Sequence, residues 1–468
     1  MTQGAAKKQS VGAKISAFFA HIFAPIVAAF KEGDAFTRLS AVFMGLGNIR
    51  RGQIIKGLLM FGFEVLFFLY HICFGWNYLK DFGTLGVNEQ GRVWDEAAQI
   101  YRRVQGDNSM LILLFSVLSL ATIIPFIAIW YVNLKSALHV QKQAQAGVKP
   151  NSFIQDVKTM LDERFHITLL TLPMITLFAF TVLPIIFMIL IAFTNFDKNH
   201  QPPGHLFTWV GMTNVTDVFW GDQLKSQTFF GILGWTFVWA IFATFTNYIF
   251  GMILAMMINK KGIRFKKMWR TIFVITIAVP QFVSLMLVSK MFTETGVVNV
   301  LLQQWGLIDA PIKFLTDPML ARILVIVVNM WVGIPYTMLM TTGILMNIPA
   351  DLYESAAIDG AGPVRQFVSI TLPYMLFVTA PQMITTFVGN INNFNVIYLL
   401  TTGGPLTLDY YQAGKTDLLV TWLYKLTVNE QNYSLASTIG IFIFLIVSSV
   451  SLVVYNMTGS VKKEDEFQ

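Results

Sequence analysis

The sequence contains little charge and almost no cysteine. Charged residues make up only 13% of the 468 residues, and Cys73 is the single cysteine. One cysteine excludes a scaffold held by intramolecular disulfides, and a chain this apolar does not have the composition of a disordered protein. Hydrophobic types make up 55% of the chain, and its mean hydropathy is +0.59. This composition predicts an integral membrane protein.

Recognisable catalytic and metal-binding motifs are missing too. None of the six histidines stands in an HExxH or similar ligand spacing. The triplet Gly414, Lys415 and Thr416 matches the end of a phosphate-binding loop, but Asp409 occupies the place of its first glycine. The net charge of +7 comes from short basic blocks beside apolar runs, which is typical of membrane topology rather than nucleic-acid binding. We expect no catalytic residue, metal site, chain-bound cofactor or nucleic-acid partner.

Long apolar runs dominate what is present. A helix crosses the bilayer core with roughly 20 apolar residues, and the runs are continuous, unlike the alternating strands of an outer-membrane barrel. We therefore predict an all-α polytopic membrane protein with about eight transmembrane helices. The predicted spans are residues 57–77, 109–132, 167–193, 230–257, 271–292, 321–345, 375–399 and 435–456.

The distribution of basic residues predicts the orientation. With the N-terminus in the cytoplasm, about two thirds of the 33 Lys and Arg residues fall in cytoplasmic segments, as the positive-inside rule requires. Both termini are therefore predicted to be cytoplasmic. The densest basic block separates the fourth and fifth spans and consists of Lys260, Lys261, Arg264, Lys266, Lys267 and Arg270.

The segment before the first span is ambiguous. Residues 15–30 are apolar and follow Lys7, Lys8 and Lys14, a pattern that a cleavable signal or a membrane anchor also shows. Pro25 within the segment weakens a spanning helix, so we favour an amphipathic helix lying at the interface. We divide the chain into an N-terminal segment, two accessory spans with their connections, a six-span core and a tail, at residues 1–56, 57–166, 167–457 and 458–468.

A polar segment between the sixth and seventh spans contains the clearest motif. Residues 347–375 predict a helix, a turn and a second helix, because Gly360 ends the first helix. The negative carboxylate of Glu354 interacts favourably with the positive N-terminal end of the helix dipole. Ala356 and Ala357 have little side-chain bulk, so another protein surface can approach the helix closely. An ordinary helical hairpin remains the alternative on these residues alone.

The sixth and seventh spans contain unusually many amides. Asn390, Asn392, Asn393 and Asn395 fall within six residues of the seventh span. Amides donate and accept hydrogen bonds, and sugar hydroxyls require both. Hydrogen bonding between helices explains intramembrane amides equally well, so the residues alone leave both interpretations open.

The sixth span adds a second set of polar groups. Asn329, Gly333 and Tyr336 share one helical face at i, i+4 and i+7 spacing. Gly333 leaves room beside the backbone, and the tyrosine ring is suited to stack on a pyranose.

Part of the sequence resembles a known family. The motif of Glu354, Ala356, Ala357 and Gly360, followed by Ile370, Leu372 and Pro373, is similar to the EAA loop of permease subunits in binding-protein-dependent ABC importers, with Ser355 where the pattern has alanine. YLLTTGGP at residues 398–405 and AGKTDLLVTWLYKLT at 413–427 look like the maltose and maltodextrin type. The resemblance runs from about residue 167 to the C-terminus, and the short connection between spans three and four lacks the large domain of some members.

The resemblance implies a function and a set of partners. It implies a multi-pass permease subunit in the cell membrane of a prokaryote, importing maltose, maltodextrin or related oligosaccharides. Its partners would be a second homologous permease, two ATPase subunits that bind ATP and Mg, and an extracytoplasmic sugar-binding protein. Glu354, Ala356, Ala357 and Gly360 would then couple to the ATPase.

The resemblance also assigns a sugar site. Gly389 stands where some members have an aromatic residue, so the exact stacking arrangement is not implied. The alternative function is a secondary sugar transporter or channel driven by an ion gradient, which would more often contain carboxylates within its core spans. The residues implied to line the substrate cavity are Asn329, Gly333, Tyr336, Thr386, Asn390 and Asn393.

Overall fold

The computed structural model describes residues 23–260 and 262–457, and most of these residues are helical. Seven of their helices are long and apolar enough to cross a membrane, and a bent helix pair provides an eighth span. The predicted number and order of spans are therefore confirmed. In chain order, the spans are Ile54–Leu79, Ser109–Gln145, Phe165–Ile191, Gln223–Asn259, the pair Lys266–Ala278 and Gln281–Met291, Pro318–Leu345, Pro363–Thr401, and Tyr433–Asn456.

Shorter elements lie in the connections and within the spans. A two-stranded antiparallel hairpin joins the first two spans, with Trp94 opposite Tyr101. Single π-helical turns interrupt three spans, at His71–Gly75, Phe178–Val182 and Phe367–Thr371. The remaining connecting elements are Ala35–Leu39, Leu46–Arg50, Gly91–Asp95, Ile100–Val104, Phe153–Leu161, Thr213–Thr216, Asp217–Gly221, Val297–Gln304, Ala350–Ile358 and Leu419–Val428.

The fifth span differs from the single helix expected over residues 271–292. Its two helices are bent by 87° at a short break. Pro280 stands at this break and has no backbone N–H to continue a helix, and the residue before a proline avoids helical geometry. The seventh span is also interrupted, because the helix Leu372–Ile391 ends before Asn392 and a new helix begins at Phe394.

The chain forms two compact units. The first contains the described residues up to Leu190 together with Asn199–Trp209, and the second contains Ile191–Lys198 and the described residues from Val210 onward. The division proposed from the sequence at residue 166 stays a prediction.

Polar contacts fix the segment before the first span in the first unit. Glu64, a buried carboxylate of the first span, accepts a hydrogen bond of 2.7 Å from the backbone N–H of Met44. Asn133 of the second span accepts from the N–H of Gly45 at 2.8 Å and donates to the carbonyl of Ser40 at 2.7 Å. Glu64 therefore has a structural partner, as buried polar groups in a membrane require.

Only part of the predicted interfacial helix lies within the described residues. Residues 23–32 are helical, whereas residues 15–22 and the tail 458–468 lie outside the described part of the chain. Phe23, Val27 and Phe30 are exposed on this helix, and Ala29 is buried. The described part of this helix exposes apolar side chains, and both its amphipathic character and its location at the membrane interface stay predictions.

The second unit is organised around the fourth span. Trp239 and Ala243 of this helix are fully buried and pack with Leu324 and Val328 of the sixth span. The fourth span also packs against the seventh. The fourth, sixth and seventh spans therefore meet along the face on which the predicted amides lie.

A buried ion pair fixes the connection between the seventh and eighth spans. Asp417 is fully buried, and the ammonium of Lys425 approaches its carboxylate to 2.6 Å. The N–H of Gly414 and the hydroxyl of Thr421 donate to the same carboxylate. Such complete hydrogen bonding is what allows a charge pair to be buried.

Candidate functional site

The six predicted site residues lie on two neighbouring spans, the sixth and the seventh, but differ in exposure. Asn329 and Asn390 are buried, and Thr386 and Asn393 are half-buried. Tyr336 is 57% exposed, so its ring faces away from the packed core of this chain. A membrane-spanning helix that exposes an aromatic ring with a hydroxyl presents it to lipid, to a passage or to a partner chain.

Asn390 connects the seventh span to the fourth. Its side-chain Nδ2 donates to the hydroxyl of Thr244 at 3.0 Å, and its backbone carbonyl accepts from the indole N–H of Trp239 at 3.0 Å. The remaining side-chain oxygen accepts a long hydrogen bond of 3.4 Å from Asn393. Asn390 therefore joins the seventh span to the fourth, and its contact with a sugar stays a prediction.

Asn393 owes its position to the break in the seventh span. It is the N-cap of the helix Phe394–Thr401, and its side-chain oxygen accepts from the N–H of Val396 at 3.2 Å. Asn392 and Asn395 are exposed. Because the helix breaks between Ile391 and Phe394, the four asparagines do not have the relative positions that one continuous helix would give them.

The fourth span approaches Gly333 closely. A Cβ atom at this position would lie 2.2 Å from Nδ2 of Asn247, so the Asn247 side chain would have to move before a larger residue could fit. Gly389 behaves differently, because a Cβ there would meet nothing within 4 Å. The structure thus leaves open space at the position where an aromatic residue occurs in some family members.

Asn247 is a polar residue that the sequence analysis missed. It is buried, and its Oδ1 has no hydrogen-bond partner, as is true of Nδ2 of the buried Asn329. The available signal was an asparagine in the fourth predicted span, but no clustering in the sequence singled it out. Only the packing against Gly333 places it beside the predicted site.

The EAA motif forms the predicted helix and turn. The helix Ala350–Ile358, termed here the loop helix, is followed by a turn at Gly360, whose φ of +77° favours glycine. The backbone N–H of Ala361 then bonds the carbonyl of Ala356 at 2.8 Å, as in a glycine-terminated helix end. Asp351 lies in the first turn of this helix rather than at its cap.

The loop helix has an exposed surface that includes much of the motif. Glu354, Ser355, Ala357 and Gly360 are exposed, and Ile358 is 87% exposed. A small-residue surface with an exposed isoleucine is suited to docking against another protein.

A hydrogen bond joins the loop helix to the seventh span. The hydroxyls of Tyr353 and Thr371 are 2.8 Å apart. Thr371 is buried and closes the π-helical turn at the start of that span. Farther along the span, Thr379 bonds the hydroxyl of Tyr248 on the fourth span at 2.8 Å. These bonds fix the seventh span to the loop helix at one end and to the fourth span along its length.

Within residues 23–260 and 262–457, no three His, Cys, Asp or Glu residues come close enough together to hold a metal ion. Lys415, the lysine of the partial phosphate-loop pattern, instead contacts Asp409 at 3.3 Å and lies 3.9 Å above the ring of Tyr410.

Comparison with known proteins identifies relatives over nearly the whole chain. Galactooligosaccharides transport system permease protein GanP of Bacillus subtilis is 34% identical over 427 residues, which is 91% of this chain and 98% of that protein. Maltodextrin transport system permease protein MalC of Streptococcus pneumoniae is 32% identical over 93% of this chain and 98% of that protein. Alignments of this extent include most of the first two spans.

A third relative matches over a shorter stretch of the chain. Maltose/maltodextrin transport system permease protein MalF of Escherichia coli is 36% identical over 264 residues, covering 55% of this chain and 51% of that protein.

A solved structure shares the fold. A chain in the crystal structure of a bacterial ABC transporter involved in the import of the acidic polysaccharide alginate has a TM-score of 0.52 and 24% sequence identity. The likeness covers 64% of this chain and 97% of that one.

The family assignment rests on sequence over most of the chain. A sequence model of the binding-protein-dependent transport system inner membrane component matches residues 247–462, which include the loop helix and all six predicted site residues. The two nearly full-length relatives extend the similarity to the N-terminal spans. The chain belongs to this family and is a membrane-spanning permease subunit of an ABC importer, not an enzyme.

Proposed function

We propose that this permease subunit imports maltose, maltodextrin or a related oligosaccharide and forms half of the translocation pathway. The observation that carries the proposal is identity of 32–34%, over more than 90% of the chain, to permease proteins named for maltodextrin and galactooligosaccharide transport. The amides and the exposed Tyr336 of the sixth and seventh spans supply hydroxyl-binding and ring-stacking groups for such a cargo.

A second homologous permease would complete the pathway. Two ATPase subunits would bind ATP and Mg, and a sugar-binding protein would deliver the cargo from outside the cell membrane. The proposed orientation places both termini and the loop helix in the cytoplasm, in agreement with the basic block around Arg264. Exposure of Glu354, Ala357 and Gly360 supports the loop helix as the ATPase contact.

The proposed mechanism is alternating access driven by the partners. Closure of the ATPase pair would move the loop helix, and the bond between Tyr353 and Thr371 would transmit that movement to the seventh span. The polar surface around Asn390 would then be exposed to one side of the membrane at a time. In this mechanism the chain itself forms no bond to ATP.

The test is reconstitution of the full importer with its genomic partners in liposomes. We expect maltose or one of its longer glucans, added with the binding protein, to raise the ATPase rate several-fold and to enter the liposomes. Galactooligosaccharides of matched length form the second arm. If neither series raises the ATPase rate or enters the liposomes, the proposed sugar class is wrong, although the family assignment stands.

A further inference from the structure

Two neighbouring spans each bury an amide atom that has no hydrogen-bond partner. Oδ1 of Asn247, on the fourth span, and Nδ2 of Asn329, on the sixth, are both enclosed and unpaired. Their residues are only 7% and 5% exposed. A buried polar atom without a partner is costly, so both atoms are candidates to bind a further polar group.

The two amides belong to the same helix crossing. Asn247 lies against the backbone of Gly333, where a Cβ atom would be 2.2 Å from its Nδ2 and 3.0 Å from its Oδ1. Asn329 precedes Gly333 by one helical turn and shares its face. Both amides therefore border the crossing of the fourth and sixth spans.

The same stretch of the fourth span also contacts the seventh. Thr244, one turn before Asn247, holds the side chain of Asn390 through a hydrogen bond of 3.0 Å. The fourth span thus adds its own polar groups to the predicted site. The sequence pattern had predicted site residues on the sixth and seventh spans only.

The unpaired atoms have complementary chemistry. Oδ1 of Asn247 accepts a hydrogen bond, and Nδ2 of Asn329 donates one. A hydroxyl satisfies both atoms, because its oxygen accepts a hydrogen bond from Nδ2 of Asn329 while its O–H donates one to Oδ1 of Asn247. A carboxylate offers only acceptors and an ammonium only donors, so either would satisfy one of the two atoms alone.

We propose that Asn247 is a further substrate-binding residue and that, with Asn329, it binds one hydroxyl of the transported sugar. The inference rests on the proposed function, since it requires an oligosaccharide cargo. It adds the fourth span to the surfaces that contact the cargo, and it assigns the unpaired amides to the sugar-free state. Movement of the sixth span against the fourth would admit the hydroxyl.

The first test replaces the amide with an apolar side chain of similar size. In the reconstituted importer, Asn247→Leu should raise the maltotriose concentration for half-maximal ATPase stimulation roughly tenfold, the usual effect of losing a hydrogen bond to an uncharged group. The maximal rate should remain. Thr246→Val is the matched control, because Thr246 is half-buried on the same helix and its hydroxyl donates to the backbone carbonyl of Phe242 one turn earlier.

A second test separates sugar binding from helix packing. Monodeoxy analogues of maltose would be compared in the wild type and in Asn247→Ser, a smaller substitution that serves if the leucine variant does not assemble. In the wild type, we expect one analogue to require a higher concentration than maltose for half-maximal ATPase stimulation. In the variant, that analogue and maltose should require the same concentration. Equal losses from that analogue in both proteins would overturn the proposal.

The outcomes distinguish this inference from the function on which it rests. An unchanged half-maximal concentration in an assembled Asn247→Leu importer, with or without a lower melting temperature, would assign Asn247 to packing and leave the proposed function intact. If no sugar stimulates even the wild-type importer, both the proposed function and this inference are wrong.

Discussion

At the scale of single residues, polar side chains in the apolar part of the chain serve different purposes. Glu64 and Asn133 hold backbone groups of the preceding segment, and Asn390 joins two spans. Tyr336 instead extends away from the core. Burial and hydrogen bonding therefore distinguish residues that stabilise the helix bundle from those available to a cargo.

This difference predicts two kinds of variant. Tyr336→Ala should weaken sugar stimulation of the ATPase without lowering the melting temperature, because the exposed ring makes little packing contact within this chain. Asn390→Ala should weaken stimulation and lower the melting temperature, since it breaks the bond to Thr244 at a net cost of about 1 kcal/mol. Thermal unfolding of the purified complex and sugar titration measure both effects. Equal melting shifts in the two variants would contradict the distinction.

Asp107, beside the hairpin between the first two spans, predicts a pH effect. Backbone N–H groups of Asn88 and Val87 donate to its carboxylate and hold the pKa of Asp107 below its ordinary value of 3.8. Because the folded-state pKa is lowered, its stabilisation is present above the unfolded value and is lost as the pH falls through the folded one. Asp107→Asn should remove that part of the acid sensitivity.

The measurement is hydrogen exchange at the amides of Asn88 and Val87. In the wild type, the protection factor should decrease as the pH falls below about 4, after correction for the intrinsic exchange rate. In Asp107→Asn it should be lower at neutral pH and nearly independent of pH. Asp81→Asn in the same connection serves as the control.

At the scale of elements, the loop helix depends on a single backbone conformation. Gly360→Val should strain the turn by about 1–2 kcal/mol, because a residue with a side chain is placed in the left-handed region. A Cβ atom there meets nothing within 4 Å, so the span helices should remain folded. Gly362→Val is the control, because Gly362 has an ordinary φ of −69° and is equally open.

The expected result is selective loss of ATPase assembly. Gly360→Val should reduce co-purification of the ATPase subunits and ATP-driven uptake, while membrane insertion and the content of helix remain normal. Gly362→Val should reduce ATPase co-purification and ATP-driven uptake less than Gly360→Val does. Normal uptake with Gly360→Val would show that this turn is unimportant for coupling.

The bond between the loop helix and the seventh span predicts partial uncoupling. Tyr353→Phe and Thr371→Val each remove one hydroxyl of the same 2.8 Å bond, so the two changes together should cost no more than either alone. We expect more ATP to be hydrolysed per sugar imported. Tyr374→Phe, which removes a hydroxyl three residues beyond Thr371, is the matched control, and additive effects of the first pair would argue against the link.

The sequence predicted the type of each long element but not its irregularities. Apolar runs set the eight spans because the bilayer demands about 20 such residues, and the structure reproduces all eight. The bend at Pro280 and the break at Asn392 depend on which backbone hydrogen bonds are lost at each position and on which neighbouring groups form new ones. A hydrophobicity pattern contains no information about these local hydrogen bonds.

The candidate site was predictable only where its residues cluster along the chain. The asparagines near residue 390 and the i, i+4, i+7 set beginning at Asn329 are visible as patterns. Asn247 stands alone in its span, and its relation to Gly333 arises from packing between helices. Whether these groups act together on a cargo stays a prediction that the proposed variants address.

At the scale of the whole molecule, an ABC permease moves its cargo only with ATP-hydrolysing partners. Sugar uptake into liposomes should therefore require ATP and should persist when an ionophore abolishes the proton and sodium gradients. The family assignment supports this expectation, and Glu64, a carboxylate within a span, is already bonded to backbone. A matched preparation lacking the ATPase subunits is the control. Gradient-driven uptake without ATP would contradict it.

The bend in the fifth span has a mechanical consequence. Its first half, Lys266–Ala278, packs on the sixth span, and its second half, Gln281–Met291, packs on the helix Phe394–Thr401. At Pro280 the helical hydrogen-bond ladder is already interrupted, so pivoting there sacrifices no additional backbone bond. We therefore expect a change in the angle between the two halves to cost less here than bending an unbroken helix would.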